Sequence, residues 1–114
     1  MSNVASIKNR TVKITLNDGV ERTIKFTLNA LAELEDKFGS VQAAFDKLEK
    51  ENSMKALRTI LWSGFIHENP ALTEQEVGNL IDLSYMQELV ESLGDAFNYS
   101  MPEPDESPNV QNPT

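Results

Sequence analysis

The hydrophobic pattern of this chain changes period once, at Thr27, and that change limits what it can fold into. Before it, residues 11–16 (Thr-Val-Lys-Ile-Thr-Leu) alternate apolar and polar side chains and are rich in β-branched types, the pattern of a strand with one buried face. Residues 20–26 (Val-Glu-Arg-Thr-Ile-Lys-Phe) alternate in the same way, and Asn17-Asp18-Gly19 between them reads as a turn. The faces argue the register. A two-residue loop would set Leu16 opposite Glu21 and mix them. A three-residue loop sets Leu16 opposite Val20 and Val12 opposite Ile24, with Gly19 in the left-handed position of a bulged turn. A lone hairpin is marginal in water, so its apolar face must rest on the helices that follow or on another subunit.

After Thr27 the period is helical. Thr27 is placed to cap a helix from Leu28 to Phe38, anchored by Leu31, Leu34 and Phe38 and stopped by Gly39. Ser40 caps a second, with Val41, Ala44, Phe45 and Leu48 on one face. Asn52 and Ser53 break and restart the chain. The third helix, from Met54 to about Ile66, is the most apolar: Met54, Leu57, Leu61 and Phe65 form one stripe, and Ile60, Trp62 and Ile66 widen it. So broad an apolar arc belongs at the centre of a core. Thr73-Glu74-Gln75-Glu76 matches a capping box, with Leu72 and Val77 as its hydrophobic staple, and predicts a fourth helix from Glu74 to about Leu83. Ser84 with Gln87 reads as a second box opening a fifth helix, striped by Met86, Leu89, Val90, Leu93 and Phe97. Gly78 inside helix four costs about 1 kcal/mol relative to alanine, which points to close approach of another helix or of a partner.

These elements predict an α+β fold, mostly α: a hairpin and about five short helices in one small bundle over residues 10–99. Residues 1–9 form an N-terminal extension. From residue 100 the chain turns Pro-rich and acidic and carries almost nothing apolar, so it cannot offset its ordering entropy by burial and is expected to be disordered. Apolar residues make up 39% of the chain, enough for one modest core.

Charge is unevenly distributed. The chain has 10 basic and 18 acidic residues and a net charge of −8. The last basic residue is Arg58, and ten acids follow it without one Lys or Arg. Such a surface repels phosphate backbones, so nucleic acid is not an expected partner; it either keeps the chain soluble or attracts a basic protein. No apolar run approaches the ~20 residues that span a bilayer, and residues 1–9 lack the apolar core of a secretory leader. The expected place is the cytoplasm, off the membrane.

The residues offer little to catalysis, and an enzyme is not expected. There is no cysteine and no Gly-x-Ser-x-Gly elbow. His67, the single histidine, ends an apolar helix and reads as a capping or surface residue. One histidine without cysteine excludes the usual structural zinc, and the acids form no calcium loop. The glycines are too scattered for a phosphate cradle, so no metal or cofactor is expected. What remains is surface for proteins. Trp62, Phe65 and Ile66 on the outer shoulder of helix three, and Tyr85 and Tyr99 flanking helix five, either complete the small core or line a groove for an amphipathic partner segment.

A family resemblance enters through the succession of segments. An alternating hairpin leads into Phe26-Thr27-Leu28-Asn29-Ala30-Leu31-Ala32-Glu33-Leu34-Glu35. Leu57-Arg58-Thr59-Ile60-Leu61-Trp62 and Leu72-Thr73-Glu74-Gln75-Glu76-Val77-Gly78 follow, and Leu93-Gly94-Asp95-Ala96-Phe97 closes. Over about residues 10–98 this resembles the tail-assembly chaperones of long-tailed bacteriophages, including the related small protein of gene-transfer-agent clusters. The resemblance implies a small, mostly helical protein of the bacterial host cytoplasm that binds the tape-measure protein, keeps it soluble and helps recruit tail-tube subunits. It implies absence from the finished tail and, in many members, a longer frameshifted form. It carries no catalytic residues. Two other readings stand beside it: an acidic DNA mimic or regulator-binding inhibitor, and a structural tail or head-completion component.

Overall fold

In the computed structural model, which describes residues 11–101, β1 (Val12–Thr15) and β2 (Glu21–Ile24) pair antiparallel with Val12 opposite Ile24. The three-residue loop is present: Leu16 N–H donates to the Val20 carbonyl at 3.3 Å, and Gly19 takes a φ of +78°, where a side chain would be strained. Asp18 fixes the turn by accepting from Val20 N–H at 3.1 Å and from both ends of the Arg22 guanidinium at 3.1 and 2.9 Å. Arg22 occupies a position on the apolar face, where its guanidinium lies 6.0 Å from the centre of the Phe65 ring. Val20, expected on that buried face, pairs as predicted but stays exposed beside the turn.

The first three helices end where the polar caps place them. Thr27 accepts from Ala30 N–H and opens α1 (Leu28–Phe38), and Gly39 closes it at a φ of +91°. Ser40 accepts from Ala43 N–H and opens α2 (Val41–Glu51). Asn52, left-handed at φ 53°, ends α2, and Ser53 caps α3 (Met54–Phe65) through Ala56 N–H. Each such cap contributes about 1 kcal/mol. α3 is the centre of the molecule, with eight of its twelve residues buried. Met54 departs from the expected stripe: at the first position of the helix it lies 47% exposed.

The capping box at Thr73 forms in full and opens α4 (Glu74–Asn79), with Leu72 and Val77 both buried as its staple. The helix then stops about a turn earlier than its apolar pattern predicts. The Leu80 carbonyl accepts from Asn17 N–H of the hairpin at 3.1 Å, and Asp82 takes Ser84 N–H at 3.0 Å and Ser84 Oγ at 2.8 Å. Those local bonds compete with helix continuation. They make Leu83–Tyr85 a separate 3-10 turn capped by Asp82. Ser84 is thereby used as a donor and opens no second capping box; α5 (Met86–Ser100) starts after Tyr85 without a side-chain cap.

One apolar core joins all these elements. Leu34, Leu48, Ile60, Leu61, Phe65 and Leu93 are its largest fully buried apolar side chains besides Val77. Phe26, Phe45 and Phe97 meet edge-on or tilted, with ring centres 4.8–6.2 Å apart, and bring the segment after β2 together with α2 and α5. The hairpin is held by its outer strand as well as by its face. Lys25 N–H donates to the Gly64 carbonyl at 2.9 Å, His67 Nε2 lies 2.9 Å from the Thr23 carbonyl, and Phe26 N–H donates to Ser100 Oγ at 3.2 Å. His67 thus serves the join between hairpin and α3. The predicted extension over residues 1–9 and the tail beyond residue 101 lie outside the described residues, and Ser100 belongs to α5.

Candidate functional site

The five residues singled out for partner binding do not meet in one groove. Phe65 is 1% exposed and packs inside the core, so it presents nothing to a partner. The reason is visible in β2: the hairpin lies across the C-terminal half of α3 and covers the shoulder that sequence periodicity left open. Trp62 is half-buried, and its indole is committed. Nε1 donates to the Leu72 carbonyl at 2.8 Å, and Lys37 Nζ lies 5.3 Å from the ring centre. Trp62 therefore ties α3 to the segment that leads into α4. Ile66 and Tyr99 are half-buried at the ends of α3 and α5. Tyr85 alone of the five is strongly exposed, at 58%.

Tyr85 belongs to a different surface. The turn Leu83–Tyr85 stands between two clefts with apolar linings. The larger, of about 530 Å³, is bounded by Met54, Leu57 and Arg58 of α3 and by Gly78, Ile81 and Leu83. The smaller, of about 250 Å³, lies between the hairpin and α5 and includes Ile14, Leu16, Tyr85 and Leu89. Ile81 lines both. Leu83, 61% exposed, and Tyr85 form the ridge between them. An early stop to α4 creates this surface: a helix continued to Leu83 would turn these side chains elsewhere. Large apolar groups left in water beside concave apolar surface mark an interaction site.

The wall of the larger cleft is cationic. Arg58 is held by α4, where a Cβ on Gly78 would lie 3.1 Å from Arg58 Cδ. The glycine thus admits the arginine stem, which accounts for its place inside the helix. Arg58 Nε is shielded from solvent and has no hydrogen-bond acceptor among the described residues; its nearest carboxylate oxygen, Glu74 Oε1, is 3.9 Å away. That oxygen is taken by Thr59 Oγ1–H at 2.6 Å, and Glu74 Oε2 faces Lys37 at 3.8 Å. Lys55 lines the same cleft and has no ion pair among the described residues.

Met54, Arg58, Ile81 and Leu83 were not read from the sequence as site residues. Gly78 was, and it was the usable signal: a glycine inside a short helix implied a close neighbour, and that neighbour carries the cleft. Among the described residues no three His, Asp or Glu side chains gather as metal ligands, and no helix is long and apolar enough to cross a membrane. Compared with protein-family models, with curated proteins and with solved structures, the chain matches none.

Proposed function

We propose that this protein is a binding factor that takes up amphipathic helical segments of a partner polypeptide and keeps that partner soluble, as the phage tail-assembly chaperones it resembles do. The supporting observation is the ridge of Leu83 and Tyr85 between two apolar clefts, on a scaffold whose other large side chains are mostly committed to one core. An apolar helix stripe seated there would be removed from water, and the acidic remainder of the surface would keep the complex dispersed. Binding would draw the partner away from aggregation by mass action.

On this reading the partner is a tape-measure protein, a long helix-rich chain that aggregates when its stripes are exposed, and tail-tube subunits are recruited later. The work is done in the host cytoplasm, and the protein does not remain in the finished particle. The test is co-expression with the product of a tape-measure gene. The soluble fraction of that product should rise several-fold; an unchanged fraction overturns the proposal. Mass spectrometry of purified particles should not find the chain, and its presence would favour a structural tail or head component.

A second reading draws on α5, where Glu88, Glu91 and Asp95 form an exposed acidic stripe. A DNA mimic would bind a basic regulator through such a stripe. Its complex would dissolve on raising salt from 50 to 300 mM, because screening at those strengths weakens exposed charge pairs. The apolar reading expects the complex to survive.

A further inference from the structure

We infer that the cleft between α3 and the Leu83–Tyr85 turn takes an amphipathic helix of a partner protein whose apolar stripe is flanked by carboxylates, with Arg58 as the carboxylate receptor. This deepens the proposed function and rests on it for the existence of a helical partner.

The argument is one of charge and of a guanidinium held in place. In a chain of net charge −8, the last two cations, Lys55 and Arg58, stand together on one apolar cleft. The stem of Arg58 is fixed against Gly78, so its guanidinium is presented and not free to search solvent. The side chain is 42% exposed, while its Nε is shielded and lacks an acceptor. Glu74 forms only a long ion pair with Arg58, its Oε1 at 3.9 Å lying beyond hydrogen-bond reach of Nε while it accepts from Thr59 at 2.6 Å. A partner's carboxylate would meet the exposed part of the guanidinium, whose fork it matches in geometry. Met54, Leu57, Ile81 and Leu83 beside it supply the apolar contact for the stripe.

The chain itself offers no better occupant. Residues 102–114 carry acids but, prolines aside, a single apolar side chain, Val110. Residues 1–10 carry Met1, Val4 and Ile7 together with Lys8 and Arg10, cations that Lys55 and Arg58 would repel. In a second copy the acidic stripe of α5 is exposed while its apolar stripe is spent on its own core.

The test uses the full chain and two labelled helical peptides of about 18 residues, five turns, with leucines at i, i+3, i+4 and i+7. One carries Glu on both flanks of the stripe and the other Lys. Fluorescence anisotropy should show the Glu peptide binding at least about tenfold tighter. Arg58→Gln should remove that preference, and Leu83→Ser should weaken both peptides. Both variants alter half-exposed or exposed residues, and circular dichroism should find them folded. Equal affinities on the unaltered chain, a preference for the Lys peptide, or a preference that survives Arg58→Gln overturns the inference. So does a dimer dispersed by Leu83→Ser, or a gain in affinity on deleting residues 102–114, since either puts this chain in the cleft. The two levels separate cleanly. A chain that keeps its partner soluble but ignores the Glu peptide retains the proposed function and loses this assignment. A chain that binds the Glu peptide through Arg58 but solubilises nothing does the reverse.

Discussion

Gly64 of α3 meets Ile24 of β2 so closely that a Cβ on the glycine would lie 2.8 Å from Ile24 Cγ2. The hairpin reaches the centre of the core through that contact, and Lys25 N–H bonds the Gly64 carbonyl beside it. Ile24 is stiff at χ1, so it cannot swing aside cheaply. Gly64→Ala should therefore destabilise the fold by about 1–3 kcal/mol, the usual range for overpacking. Urea unfolding measures it. Ile24→Ala, which opens a cavity, should cost about 2–5 kcal/mol alone. The double variant should cost clearly less than the two losses added, because each substitution relieves the other.

Much of this fold was legible because short-range chemistry decides it. Thr27, Ser40 and Thr73 cap the helices they were expected to cap, the chain restarts at Ser53 as expected, and the face-matching argument gave the register of Val12 on Ile24. Failures came where a distant segment intervened. Asn17 takes the Leu80 carbonyl across the fold and, with Asp82, ends α4 early, and nothing local to Leu80 announces a hairpin neighbour. The burial of Phe65 has the same cause. Phe65 stands at the C-terminal shoulder of the α3 stripe, and β2 covers it. Leu83 was expected at the end of the fourth helix and instead opens a separate turn.

Trp62→Phe tests whether the indole is structural. The Leu72 carbonyl would lose its 2.8 Å donor, and leaving that group unpaired should cost about 1–3 kcal/mol in urea unfolding. Affinity for the Glu-flanked peptide should be unchanged, because Trp62 lines neither cleft. A variant of full stability that binds the peptide poorly would return the groove to this residue.

Thr73→Ala removes one half of the capping box. α4 has six residues and little else to hold its first turn, so a loss of about 1 kcal/mol is expected. The cleft should suffer with it, since Gly78 and Ile81 depend on α4. Hydrogen exchange should quicken at Glu76 and Val77 before it quickens in α3. Uniform acceleration across both helices would show that α4 does not open on its own.

The hairpin turn should respond to acid. The Arg22 guanidinium bonded to Asp18, helped by Val20 N–H, holds the Asp18 carboxyl below its ordinary value of 3.8. A carboxyl with a depressed folded value stabilises the fold above the unfolded value and loses that contribution as pH falls through the folded one. Unfolding midpoints should therefore be flat in this respect above pH 3.8 and fall below it. Asp82, held low by the Ser84 N–H and hydroxyl, should add to the same acid limb. Asp18→Asn should make that limb shallower. An identical limb would assign it to other carboxylates.

The two-stranded sheet has unequal margins. On the β2 side, the backbone of Thr23 meets Glu68 and His67, and that of Lys25 meets Gly64. On the β1 side, among the described residues, one backbone bond is made, from Asn17 to Leu80. An open margin of this kind is where a foreign strand could add and templated growth could begin. The lysine at position 13 stands at the middle of it, exposed, where a like-minded neighbouring strand would have to bury or oppose its charge. The sheet thus carries, on its own margin, a deterrent against growth by a second copy of the chain.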